Sequence, residues 1–200
     1  MSKSVVVIAS GETERRSLPH LLEHLQKEDI FISEVRIPNR NKDLDVGMAE
    51  RVIKAAWYSP TGGVIPDKFV VLVDTDGSPP EEVLHPFRNQ LRSRLPDAIT
   101  ASLQFAYAQW HLEAWYFADD AGIREVLGRD SGNIDSSQPD AIQNPKLHLK
   151  NLLGDRVYTS VISEEIARRV NVETIAQCSE SFRGFLDSVR NGNAPQGAQH

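Results

Sequence analysis

The stretch "VVVIASGETE", Val5–Glu14, decides how this 200-residue chain is read. Four β-branched residues are followed by the small residues Ala9 and Ser10 and then by Gly11. Such a continuous apolar run is how a strand buried on both faces of a parallel sheet reads. Glu12, Thr13 and Glu14 follow at once, and two readings of them stay open. One is a helix start, with Thr13 or Ser17 as cap and early glutamates at the positive end of the helix dipole. The other is a strand that delivers carboxylates to a metal site.

Working outward, Leu18, Leu21, Leu22 and Leu25 recur at helical spacing. Because proline is tolerated only near a helix start, Pro19 predicts a regular helix beginning near Ser17 with Pro19 in its first turn. "IFISEVRI" has strong β propensity and predicts a second strand, and a helix is expected around Met48–Trp57. "KFVVLVDTDG" is the second clear buried strand and ends in an Asp pair and Gly77. "PEEVLHPFRNQLRSRL" predicts a helix interrupted or restarted near Pro86, and "AITASLQFAYAQ" holds a further strand. "WHLEAWYFADDAGIREVLG" reads as helical, with Leu112, Trp115 and Tyr116 on one side and Asp119 and Asp120 capping the helix that follows them. A polar loop then leads to a helical set carrying Leu149, Leu153, Ile166, Val170, Phe182 and Phe185. Strands alternating with helices predict an α/β fold, a mainly parallel sheet layered by helices with a C-terminal helical extension. One domain over residues 1–191 and a disordered polar tail over 192–200 complete the expected organisation.

The net charge of −6 gives no overall basic footprint for nucleic acid, so a local basic face or a partner would have to supply phosphate contacts. A single cysteine, Cys178, excludes an internal disulfide framework and a Cys-rich zinc site, and a buried structural thiol is the expectation for it. No apolar run approaches ~18 residues, so no membrane association and a cytoplasmic location are expected. P-loop, G-x-G-x-x-G and G-x-S-x-G patterns are absent from the sequence, against an NTPase, a dinucleotide enzyme and a serine hydrolase.

In open parallel sheets functional groups gather beyond the carboxyl ends of the strands. Both clear strands end in acid, at "SGETE" and at "DTDG". On a continuing strand Asp74 and Asp76 share a face, and Gly77 lets the chain turn; Asp-x-Asp-Gly is equally ordinary turn chemistry. Hard carboxylate oxygens suit Mg²⁺ or Mn²⁺. Glu113, inside the apolar "WHLEAWYF", is unexpected unless paired, exposed or liganding, and His111 could accompany it. Lys146, His148 and Lys150 form a basic alternation that could meet phosphate or simply line a solvated helix face.

With both acidic strand ends in view, the sequence resembles the TOPRIM superfamily, the metal-binding domains of topoisomerases, primases and overcoming-lysogenization-defect (OLD) nucleases. More closely it resembles a bacterial TOPRIM-like family catalogued as a domain of unknown function, whose members accompany ATPases in phage-defence or mobile loci. "SGETERRSLPHLL", "VVLVDTDG", "LEAWYFAD", "NPKLHLKNLL" and "CSESFRGFL" carry that match over nearly the whole chain. The resemblance implies metal-binding aspartates at Asp74 and Asp76, conserved-pattern positions at Gly11, Thr13 and Glu14, and the acid of the Glu-Ala-Trp motif at Glu113. Nuclease-type members have Glu one step before the glycine, where this chain has Ser10, so either Glu12 or Glu14 takes over that role or the site is degenerate.

The function implied is a Mg²⁺-dependent (or Mn²⁺-dependent) nuclease acting on DNA or RNA with a partner ATPase in phage defence. In it Asp74, Asp76 and Glu14 hold the metal, and Glu12, Glu14 and Glu113 do the catalytic work. The alternatives are a non-catalytic TOPRIM-like interaction subunit, and phosphatase or nucleotidyl-transfer chemistry at the same acids. A homo-oligomer is compatible with all three.

Overall fold

The computed structural model describes residues 2–39, 44–128, 134 and 137–191; the tail expected over 192–200 lies outside them. The chain runs β1 (Lys3–Ile8), α1 (Glu12–Leu22), β2 (Ile30–Arg36), α2 (Val46–Tyr58), β3 (Lys68–Asp74), α3 (Pro80–Arg94), α4 (Asp97–Thr100) and β4 (Leu103–Ala108). Then follow α5 (Glu113–Tyr116), α6 (Asp120–Leu127), α7 (Pro145–Leu153), α8 (Ser160–Ala167), α9 (Val172–Cys178) and α10 (Glu180–Arg190). The strands form one sheet in the order β2-β1-β3-β4, with every neighbouring pair parallel. The mainly parallel α/β architecture read from the sequence is therefore the architecture observed.

The period-2 alternation of the two central strands builds two cores. Val5, Val7, Ala9, Val70 and Leu72 face one layer, made with α1 and the C-terminal helices. Val6, Ile8, Phe69, Val71 and Val73 face the other, made with α2 and α3. In the first layer Trp115 stacks on Phe185 at 5.6 Å and meets Phe182 edge-on at 4.9 Å, while its indole N–H donates to Ser181 Oγ at 2.7 Å. The aromatic body is buried and its one polar atom satisfied, the combination a buried Trp requires.

Two prolines behave differently from expectation. α1 begins at Glu12 rather than near Ser17, and Pro19 lies deep inside it. α3 runs unbroken through Pro86. An interior proline costs about 3 kcal/mol, but full burial of Leu18, Leu21 and Leu22 on α1 outweighs that loss. The helical segment after Trp110 divides at Phe117–Asp119 into α5 and α6, with Asp119 capping the second as expected. Asp119 creates the second start: its Oδ1 accepts from Gly122 N at 3.3 Å, and its Oδ2 from Asn171 N at 2.7 Å. Cys178, expected to be buried, is exposed at the end of α9, because the buried face of that short helix is taken by Ile175.

The last helix is tied to the amino ends of the central strands. Lys3 Nζ donates to Arg190 O at 3.0 Å. Lys68, itself buried, donates to Ser188 O and Val189 O at 3.0 Å each and also to Asn191 O. Two ammonium groups thus occupy the carbonyl end of α10, where the helix dipole favours cations.

Candidate metal centre

β3 and β4 end level at the Asp74–Ala108 pair, the chain beyond β1 runs alongside, and the turns that follow build the site. Ser10 stands two residues past β1 and Asp74 is the last residue of β3; Ser10 Oγ donates to Asp74 Oδ2 at 3.0 Å. Asp74 shares strand parity with Val70 and Leu72, so it lies on the face covered by α1 and the C-terminal helices. Gly11 keeps extended backbone as the cap residue of α1, with no side-chain cap bond, and Glu14 follows in the first turn. Glu14 is buried at 2% exposure. The Glu14 carboxylate folds back toward Gly11, its Oε2 3.4 Å from where a Cβ on Gly11 would sit. Glu113, the first residue of α5, is fully buried.

These three carboxylates feel one another. Burial, then the charge of Glu14, pushes the Asp74 carboxyl up to about 8; the Ser10 hydrogen bond and Lys146 pull the other way. Burial pushes Glu113 up to about 7, with Lys146 opposing and Glu14 reinforcing. Lys146 Nζ, on the first turn of α7, is 3.8 Å from Glu113 Oε1. Tyr158 donates to the same oxygen at 3.1 Å. Behind them lies a hydroxyl network in which Ser163 Oγ meets Ser17 Oγ at 3.0 Å and Tyr116 OH at 2.8 Å. Burial raises both Tyr116 and Tyr158, keeping them as neutral donors.

Two sequence candidates lie elsewhere. β3 stops at Asp74, and Asp76 adopts left-handed backbone in the next turn, with φ of 50°. Its side chain is 73% exposed and pairs with His111 Nε2 at 3.2 Å. That turn is clamped to the end of β4, as Thr75 Oγ1 and Gly77 N both donate to Gln109 O at 2.6 and 2.8 Å. The Asp-x-Asp-Gly motif therefore splits: Asp74 goes to the acidic centre and Asp76 to the turn. Glu12 points outward into ion pairs with Arg15 at 2.7 Å and Arg16 at 3.0 Å, which lower its pKa. Of the basic alternation only Lys146 reaches the centre; Lys150 and His148 are exposed, the latter with its ring edge toward Phe117 at 6.2 Å. Tyr158, Ser17 and Ser163 carried no signal in the sequence, because their partners come from segments 45 to 146 residues away.

The donor set suits a hard divalent cation. Glu14 Oε1 and Glu113 Oε2 are buried with no hydrogen-bond partner among the described residues, an expensive state that an oxygen-seeking ion relieves. Among the described residues, no three or more His, Cys, Asp or Glu side chains are grouped so that together they could hold a metal ion. Mg²⁺ does not require such a group, since it keeps several waters and takes one or two protein carboxylates.

The comparisons with known proteins agree with this architecture. The chain is similar to the C-terminal region of the Burkholderia pseudomallei OLD protein, with 20% identity, a TM-score of 0.52, and 95% of this chain and 98% of that one covered. It is also similar to the C-terminal region of the Xanthomonas campestris pv. campestris OLD protein, at 16% identity and a TM-score of 0.50, with 95% of each chain covered. At such identities the likeness is one of fold, a mainly parallel sheet layered by helices. A comparison with curated proteins finds no match. Residues 10–190 match the family described as "Domain of unknown function (DUF4276)", and the chain belongs to that family.

Proposed function

We propose that this protein is a Mg²⁺-dependent phosphodiesterase of TOPRIM type that hydrolyses DNA or RNA at the Glu14–Asp74–Glu113 centre. One observation carries the reading: the buried carboxylates Glu14 and Glu113, each with an unpartnered oxygen, and the half-buried Asp74 lie beyond the carboxyl ends of the strands and couple electrostatically. Burying mutually repelling acids weakens a fold unless a cation or proton is shared among them.

Asp74 and Glu14 would hold the ion, with Glu113 at its edge. A bound divalent ion supplies Lewis-acid polarisation of a phosphoryl oxygen and neutralises charge on the attacking and leaving oxygens. Ser10 holds the Asp74 carboxylate in place and favours its charged form. Tyr158 fixes one oxygen of Glu113 and leaves the other directed away from the hydroxyl network. Lys146, close to Glu113 and half-buried, is placed to meet a non-bridging phosphate oxygen. Glu14, in the position one turn into α1, is the acceptor for the proton of the attacking water in place of the glutamate that Ser10 replaces.

The test is cleavage of single- and double-stranded DNA and RNA with Mg²⁺ or Mn²⁺ by the wild type and by Asp74→Ala, Glu14→Gln and Glu113→Gln. Metal-dependent cleavage lost in all three variants supports the reading; equal cleavage by wild type and Asp74→Ala removes it.

A second reading, a non-catalytic TOPRIM-like subunit of an ATPase assembly, is favoured by Ser10 occupying the glutamate position as a hydrogen-bond donor to Asp74. It predicts a partner complex whose biological activity survives Asp74→Ala. Loss of that activity with the complex intact counts against it. Phage defence is the setting proposed under either reading.

A further inference from the structure

A groove of about 440 Å³ opens at the β2 edge of the sheet, between the carboxyl end of β2, α2 and the start of α1. Through β1 the sheet links it to the acidic centre. Ile8 pairs with Arg36 in the β1–β2 register, and Ala9 N donates to Arg36 O at 2.9 Å, so the groove lies one strand spacing from the Ser10–Gly11 turn.

The groove has two chemical halves. Arg15, Arg36 and Arg51 line it with Glu34 as the single acid, in a chain whose net charge is −6. Arg36 is held by Glu34 at 2.7 Å, and Arg15 by Glu12 at 2.7 Å. Arg51 is exposed and forms no ion pair among the described residues. The remaining lining is apolar, Val35, Ile37, Met48, Val52 and Ala55, apart from Asn39. A phosphate chain alone has no use for such a wall, whereas an unpaired base has a flat apolar face to lay on it. The volume is in the range of small-molecule sites and suits one base with its sugar, not a stacked pair.

We infer that this groove holds one unpaired nucleotide of the substrate strand, with its base against the Val35–Val52–Ala55 wall and its phosphate on Arg51 and Arg15. The substrate class is therefore a single-stranded or frayed nucleic acid, read without sequence preference. The inference rests on the nucleic-acid reading of the neighbouring centre but not on its catalytic competence.

The experiment is fluorescence anisotropy of a short labelled oligonucleotide with Asp74→Asn protein in EDTA, which separates binding from cleavage. Its arms are a single strand, the matching duplex, an abasic single strand and inorganic pyrophosphate as competitor. The variants are Arg51→Glu, Arg51→Ala and Ala55→Trp, all at exposed helix positions, with folding checked by thermal melting. The base-bearing single strand is expected to bind best. Ala55→Trp, whose indole takes the space of the base, is expected to weaken it. Arg51→Ala is expected to lower the salt dependence by about 0.7, the value of one phosphate contact on a single strand. Equal affinity for abasic and base-bearing strands, or for wild type and Ala55→Trp, overturns the inference, as does no strand binding at low salt. Strand binding that needs the groove, without metal-dependent cleavage by the Asp74-bearing protein, removes the hydrolase reading and leaves the groove standing.

Discussion

Ser10 and Asp74, 64 residues apart in sequence, are joined by a 3.0 Å hydrogen bond that ties the turn after β1 to the end of β3. A hydroxyl is therefore the inner neighbour of the buried aspartate. It favours the charged carboxylate against the burial that opposes it.

Removing that donor should weaken cation binding. Ser10→Ala is expected to raise the Mg²⁺ dissociation constant by roughly tenfold, the usual size of a lost support for a metal-binding carboxylate. Isothermal titration measures it directly. Unchanged affinity would mean that Asp74 is oriented by something else.

The pH dependence of stability follows from the two raised carboxyls. In the unfolded chain they lose protons near pH ~4, whereas the fold retains them up to about 7 at Glu113 and about 8 at Asp74. Between these limits the native state binds more protons, so stability falls as pH rises. In EDTA the melting temperature is expected to drop from about pH 5 to about pH 9 by several degrees, at about 2–4 °C per kcal/mol for a chain of this size. Asp74→Asn should flatten the slope, and added Mg²⁺ should raise the melting temperature most at the alkaline end. Glu12 and Glu164, whose carboxyls are lowered by arginine partners, act only at more acidic pH. A melting temperature that climbs across the window would refute the assignment.

Gly77 admits no side chain. Its φ is +81°, and a Cβ there would come within 2.3 Å of the Trp110 ring. Gly77→Ala should push Trp110 aside, pull the Asp76–His111 pair apart and cost about 2 kcal/mol or more. Tryptophan emission together with urea unfolding reports both effects. A variant with native emission and midpoint would show the turn to be pliable.

Lys68→Met keeps the length of the side chain but leaves the carbonyls of Ser188, Val189 and Asn191 without their shared donor. The expected loss is about 2 kcal/mol, within the range for stranded buried acceptors. Amide exchange in α10 should quicken relative to the sheet. If exchange in α10 and in the central strands changed equally, the clasp would not be local.

The sheet was legible because β1 and β3 are buried on both faces and so carry unbroken β-branched runs. Asp74, Glu14 and Glu113 were legible as acids at strand ends or inside an apolar segment. What could not be read was direction. Whether Asp76 followed Asp74 depended on one backbone torsion past the strand, and Glu12 and Glu14, two residues apart on α1, face different surroundings. The starts of helices misled for the same reason: the cost of Pro19 and Pro86 is local and visible, while the burial that overrides it comes from other segments. Tyr158 is the extreme case, a loop tyrosine whose role exists only through Glu113.

The clasp of Lys3 and Lys68 on the end of α10 also sets an order of events during synthesis. The layer that covers Asp74 and Glu14 is closed by Phe182, Phe185 and Val189, among the last described residues to leave the ribosome. Until they arrive, that layer has α1 but lacks its last helix. The first and last described segments of the chain are thus joined in one hydrophobic layer, which is completed only once α10 has been made.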